Sequence, residues 1–260
     1  VMGIEGFSTA AKHISSALAS ARGFEVTHLE DIEFLSPFKF HRDKPRRITW
    51  HAQVIRETAG LVVSVILEST QTLHMKSAEK VLHFSGKVHL EQKEISAHNT
   101  KPPHWNGGAT VGSADIYRLY FHGSSFQVLE GVQCSGTHVL GKLQSDLSPL
   151  MAGSENMISM PALVELCFQT AGIWEAGSTG VLGLPRSIQN LTLFRGSTNG
   201  TPIYADVKPR QDKNGLSFVA RVVDAKGQVY LEIEGYRTSP LPYSVETDLL
   251  EPLKVLVCEL

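Results

Sequence analysis

The sequence predicts an α+β chain built twice over, each copy an antiparallel sheet wrapping its own central helix, and three observations carry that reading. The run "MPALVELCFQTAGIWEAG" (Met160 to Gly177) is apolar nearly all round, as a helix surrounded on several sides must be. Two helical segments are each followed by a set of β-rich runs. The two sets match each other in the same order.

Taken along the chain, the apolar positions Ile4, Phe7, Ala11, Ile14 and Leu18 recur every three or four residues, which predicts an amphipathic helix to about Arg22 with Gly23 as its stop. Four strand-like runs follow: "FEVTHLEDIEFLSPFKF", "RRITWHAQVIRE", "GLVVSVILEST" and "KVLHFSGKVHLEQ". "AHNTKPPHWNGGATVGS" is rich in Pro, Gly and small polar residues and reads as a connection. Beyond it "IYRLYFHGSSFQVLEGVQCSG" and "HVLGKLQS" look extended, and the apolar helix comes next. "RSIQNLTLFRG", "PIYADVKPRQ", "LSFVARVVDA" and "QVYLEIEGYRTS" read as strands, with D-A-K-G at 224–227 as a hairpin turn. The expected organisation is a first half over 1–97, a linker over 98–112, a second half over 113–243 and a C-terminal tail over 244–260.

The repeat holds in register. Setting Glu5 on Glu165, an offset of 160, aligns "VMGIEGFSTAA" with "PALVELCFQTA". "IEFLSPFK" from Ile32 matches "IQNLTLFR" from Ile188 at an offset of 156, and Gly86 matches Gly235 at 149.

Bulk properties exclude several classes. With 24 Lys and Arg against 26 Asp and Glu there is no basic field for a nucleic acid. No apolar run approaches the roughly 20 residues of a membrane span. Three cysteines without C-x-x-C spacing argue against a disulfide framework or structural zinc, and for a reducing cytoplasm. No His pair or His/Asp/Glu cluster has metal-ligand spacing, so no metal is expected.

Glu165 is the exception in its helix: one carboxylate inside an apolar run, with Gln169 one turn later on the same face. Burial raises the pKa of such an acid and helix-terminus amides lower it, so the balance can lie near working pH. The competing reading is a structural glutamate bonded to neighbouring backbone amides.

"VMGIEGF" and "MPALVELCFQTAG" resemble the central-helix starts of hot-dog dehydratases that act on β-hydroxyacyl thioesters. Their pairing resembles the double hot-dog dehydratase domain of polyketide and polyunsaturated fatty acid synthases. "IYRLYFHGSSFQVLEGV" is similar to the Y-G-P-x-F-Q region of those domains. The resemblance implies an α+β double hot-dog fold and the removal of water from a β-hydroxyacyl chain. That chain would ride on the phosphopantetheine arm of an acyl carrier protein, with no cofactor held by the domain. It implies partnership with the carrier and with other domains of one synthase, and leaves a homodimer open. By the same resemblance Glu165 takes the place of the catalytic Asp and Gln169 that of the amide, while Tyr120, His122, Phe126, Met160 and Pro161 line the acyl tunnel. The family's basic histidine belongs to a loop before the first helix, about nine residues ahead of Val1, so that loop and its strand are expected to be missing from the chain. Two other readings stay open: a non-catalytic double hot-dog domain that shapes or binds the acyl chain, and a product-template-like cyclase. A hot-dog thioesterase fits the order of motifs less well.

Overall fold

The computed structural model describes all residues except 19–22, 39–45, 59, 73–77, 93–94, 107–110, 136, 154–156, 195–199, 243 and 257–260. Cys258 and the match of Lys39 with Arg195 lie outside the described residues, and the first helix ends at Ala17, with Leu18 already extended (φ −87°, ψ 115°), short of the expected end near Arg22.

Helix α1 (Met2–Ala17) buries Ile4, Phe7, Ser8, Ala11 and Ser15, one face of a 3.6-residue period. Strands β1 (Glu25–Phe34), β2 (Ile48–Arg56), β3 (Leu61–Thr72) and β4 (Ala78–Glu91) pair antiparallel in the order β2-β3-β4-β1. On β2 the half-buried Trp50, Ala52 and Val54 alternate with exposed neighbours, and the edge of Trp50 meets Phe7 of α1 at 5.5 Å.

The second half is larger. It comprises β5 (Val111–Gly112), α2 (Ser113–Leu119), a 3-10 turn (Ser124–Phe126), β6 (Leu129–Ser135), β7 (His138–Leu143), α3 (Pro149–Ala152), α4 (Pro161–Thr179), β8 (Gly183–Leu193), β9 (Ile203–Asp212), β10 (Gly215–Asp224) and β11 (Val229–Pro240). Its strand order is β8-β11-β10-β9-β7-β6-β5. Every residue of α4 from Pro161 to Trp174 is buried. Each fully buried aliphatic side chain contributes about 1.5–3 kcal/mol, so this helix anchors its half.

The two expected sheets are halves of one. β1 and β8 pair antiparallel and join them into a single 11-stranded sheet. A join at this seam covers the edge that each half would otherwise expose.

Three other details differ from the sequence reading. Residues 113–119, expected in part as strand, form α2, which puts Tyr117 and Tyr120 on one side; in a strand their odd spacing would send them to opposite faces. The start of the expected linker is tied down: Asn99 bridges Gln228, the Val229 N–H donates to His98 O at 2.9 Å, and the Thr100 N–H donates to Gly227 O at 2.8 Å. Cys134 is disulfide-bonded, against the expectation of a chain without disulfides, whereas Cys167 is a buried free thiol.

The 224–227 turn forms as its residues dictate, with Asp224 accepting from the Lys226 N–H at 2.8 Å and Gly227 at φ 92°. After β11, α5 (Thr247–Leu250) leads to a 3-10 turn (Glu251–Leu256) that buries Leu253 and Leu256 against α4. Among the described residues no helix is long and apolar enough to cross a membrane.

Candidate active site

α4 begins sharply. Its N-cap, Met160, takes the left-handed conformation (φ 48°, ψ 64°), which costs a non-glycine residue about 1–2 kcal/mol, and Pro161 starts the helix where no N–H is needed. Glu5 of α1 holds the chain just before it. Its Oε1 accepts from the Ile158 N–H at 3.2 Å and the Thr9 hydroxyl at 3.1 Å, and its Oε2 from the Ser159 N–H at 2.8 Å and the Ser159 hydroxyl at 2.7 Å. Glu5 is thus bonded to backbone amides, across the boundary between the halves.

Glu165 lies one turn into α4, 7% exposed, and lines a cavity of about 230 Å³. Two donors converge on one of its oxygens. Gln169 Nε2 donates to Oε1 at 2.8 Å, and His122 Nε2 lies 3.1 Å from the same Oε1. Among the described residues Oε2 accepts no hydrogen bond, which leaves it for a ligand in the cavity.

The Gln169 amide has a fixed orientation. Its Oε1 accepts from the Tyr117 hydroxyl at 2.8 Å, so its Nε2 faces Glu165 and also donates to Phe126 O at 2.7 Å. Tyr117 in turn accepts from the Leu129 N–H at 2.7 Å. Tyr120 donates to the Gln169 carbonyl at 2.8 Å, an approach open only because residue 172 is glycine: a Cβ there would collide with the Tyr120 hydroxyl.

The electrostatic balance on Glu165 has identifiable parts. Burial, the largest influence, pushes its carboxyl up; the His122 hydrogen bond, the charge of the Val1 amino group and the Gln169 hydrogen bond pull it down, and the outcome lies below the ordinary glutamate value. An amide in place of that amino group would remove one of the opposing influences. Burial also pushes the neighbouring phenols of Tyr117, Tyr120 and Tyr236 up, so they stay neutral.

Of the residues expected from sequence, Glu165, Gln169, Tyr120 and His122 line this cavity together. Phe126, Met160 and Pro161 do not line it. Phe126 contributes its carbonyl to Gln169, while Met160 and Pro161 form the start of the helix. Phe168, Leu182 and Tyr236 supply apolar lining that no motif marked. No motif marked Tyr117 as a site residue; its three-residue spacing from Tyr120, taken as helical, would have pointed both hydroxyls the same way.

Comparison with known proteins agrees with this architecture. The family model "Polyketide synthase dehydratase N-terminal domain" matches residues 106–248, more than half of the chain. Among solved structures, the chain is similar to the dehydratase domain from the CurF module of the Curacin polyketide synthase, at 20% identity and a TM-score of 0.71 over 91% of this chain and 84% of that one. It is also similar to a trans-AT polyketide synthase dehydratase domain from Brevibacillus brevis (18% identity, TM-score 0.65, 90% and 82% covered). A third is the dehydratase domain of RzxB from Pseudomonas fluorescens (13%, 0.64, 90% and 83%). Those structures share its double hot-dog fold. A family match spanning the α2 segment, α4 and the second half-sheet, on a fold shared over nine-tenths of the chain, shows that the chain belongs to the polyketide synthase dehydratase family.

Proposed function

We propose that the chain is a dehydratase domain that removes water from a β-hydroxyacyl thioester to give an enoyl thioester. The acyl chain is presented on the phosphopantetheine arm of an acyl carrier protein, inside a cytoplasmic synthase whose other domains are its partners, and the domain needs no cofactor of its own. The observation that supports this is the asymmetry of Glu165: Oε1 is held by two donors while Oε2 is left for a ligand in a largely apolar cavity.

In the proposed reaction a base takes the α-proton, the Cα–Cβ double bond forms as the Cβ–O bond breaks, and the Oε2–H proton of Glu165 passes to the departing hydroxyl, which leaves as water. The family resemblance implies a histidine as that base. Gln169 donates to Oε1 throughout and stabilises the carboxylate that remains. An acyl chain filling the cavity excludes water and adds to the desolvation that opposes ionisation of Glu165, which shifts the balance on its carboxyl toward the protonated acid.

The test is dehydration, and the reverse hydration, of a β-hydroxyacyl thioester by the native domain and by Glu165→Gln. The general-acid role predicts a loss of about 10²–10⁴-fold with the fold retained. Undiminished turnover would remove Glu165 from the mechanism.

A further inference from the structure

His122 sits between two aromatic rings at the rim of the cavity. Phe121, itself 66% exposed, stacks on it with the planes 7° apart, and Tyr120 meets it edge-on at 4.8 Å. Its two nitrogens have opposite circumstances. Nε2 is 3.1 Å from Glu165 Oε1, whereas Nδ1 is buried and has no hydrogen-bond partner among the described residues. A buried N–H without an acceptor costs a full desolvation penalty, while a bare ring nitrogen costs less, so the hydrogen belongs on Nε2. That tautomer makes His122 a donor to Oε1, beside Gln169. Its main chain is fixed too, since Gln127 Nε2 donates to the His122 carbonyl at 3.1 Å.

We propose that His122 is a positioning residue for the acid: its Nε2–H pins Oε1, so that Oε2 alone meets the acyl chain and the charge left on Glu165 after proton transfer falls on an oxygen held by two donors. This rests on the reading of Glu165 as the acid. The other titratable or charged groups around Glu165 are the Val1 amino group ahead of α1, Tyr117 on α2, Tyr120 just after it and Tyr236 on β11. Among the described residues, His122 Nε2 at 3.1 Å and Gln169 Nε2 at 2.8 Å are the polar side-chain atoms that reach the Glu165 carboxyl.

Titration of the Glu165 carboxyl separates this proposal from the dehydratase reading, because it needs no turnover. Carboxyl-13C glutamate spectra of the native chain, with the signal assigned by its loss in Glu165→Gln, are compared with His122→Leu and His122→Gln. The expected result is a rise in the Glu165 midpoint in His122→Leu and a return toward the native value in His122→Gln, whose amide nitrogen can stand near Nε2. In the dehydration assay the alkaline limb, set by loss of the acid's proton, moves to higher pH in His122→Leu. Its kcat falls at least tenfold, and His122→Gln recovers most of that loss with KM little changed. An unmoved carboxyl midpoint in His122→Leu would overturn the pairing whatever the activity. A moved midpoint in a native chain that does not dehydrate the thioester would uphold the pairing and remove the dehydratase reading instead.

Discussion

Ile32 of β1 and Ile188 of β8 lie directly opposite each other in the antiparallel seam, and they are the same two residues that the internal repeat sets as equivalents. An axis relating the two halves therefore passes between them. Both are buried, at 0% and 1% exposure. Truncation at such a site costs about 2–5 kcal/mol. Because the seam is shared, Ile188→Ala is expected to lower the melting of both halves together. Calorimetry should show one transition moved down; two separated transitions would contradict a cooperative seam.

Tyr117→Phe removes a hydroxyl that serves both the Gln169 amide and the Leu129 N–H. The two groups lose their partner in a part-buried place, for about 1–3 kcal/mol of stability. The amide can then turn, so kcat for dehydration should fall about tenfold or more with KM within about threefold. A variant that loses stability with full kcat would show that the amide needs no such guide.

Glu5→Ala deprives Ile158 and Ser159 of the acceptor that holds the approach to α4. Denaturant unfolding should show a loss of about 1–3 kcal/mol. The rate should fall through displacement of Glu165, with Glu5→Gln intermediate because its amide keeps only one acceptor oxygen. Full activity in Glu5→Ala would mean that α4 starts correctly without the brace.

Glu175 predicts a pH dependence of stability. Burial lifts its carboxyl above the ordinary value against the pull of the Thr238 hydrogen bond, and its Oε2 is buried without a partner among the described residues. The folded chain thus keeps a proton that the unfolded chain gives up. That contribution is complete below the unfolded value of about 4.3 and is lost as pH rises through the higher folded value. Glu175→Gln should match the native Tm near pH 4 and exceed it near pH 8, as thermal melts across that range would show. A native chain of equal or higher Tm at pH 8 would contradict this.

The duplicated helix-and-sheet plan was legible because periodicity is local: α4 is apolar all round, and the strands alternate in runs long enough to read. Their joining into one sheet was not, since nothing in β1 or β8 alone states which strand covers its edge. At the site, the spacing of Glu165 and Gln169 along one helix face was visible. The contact of His122 with Glu165 spans 43 residues of chain and depends on a turn after α2 that local preference misreads, because Ile116, Tyr117 and Tyr120 favour strands. The orientation of the Gln169 amide was hidden for the same reason, being set by Tyr117 from that segment.

Glu5 and Glu165 hold matching positions in the repeat, and their surroundings give them incompatible occupations. Each oxygen of Glu5 receives two donors, so its lone pairs are committed to holding a neighbour in place. A carboxylate saturated in that way has no oxygen left for an incoming molecule. Under the proposed function, symmetry of the scaffold therefore does not extend to its stoichiometry: one acyl thioester is processed per chain, and an active-site titration should count a single site where the architecture offers two.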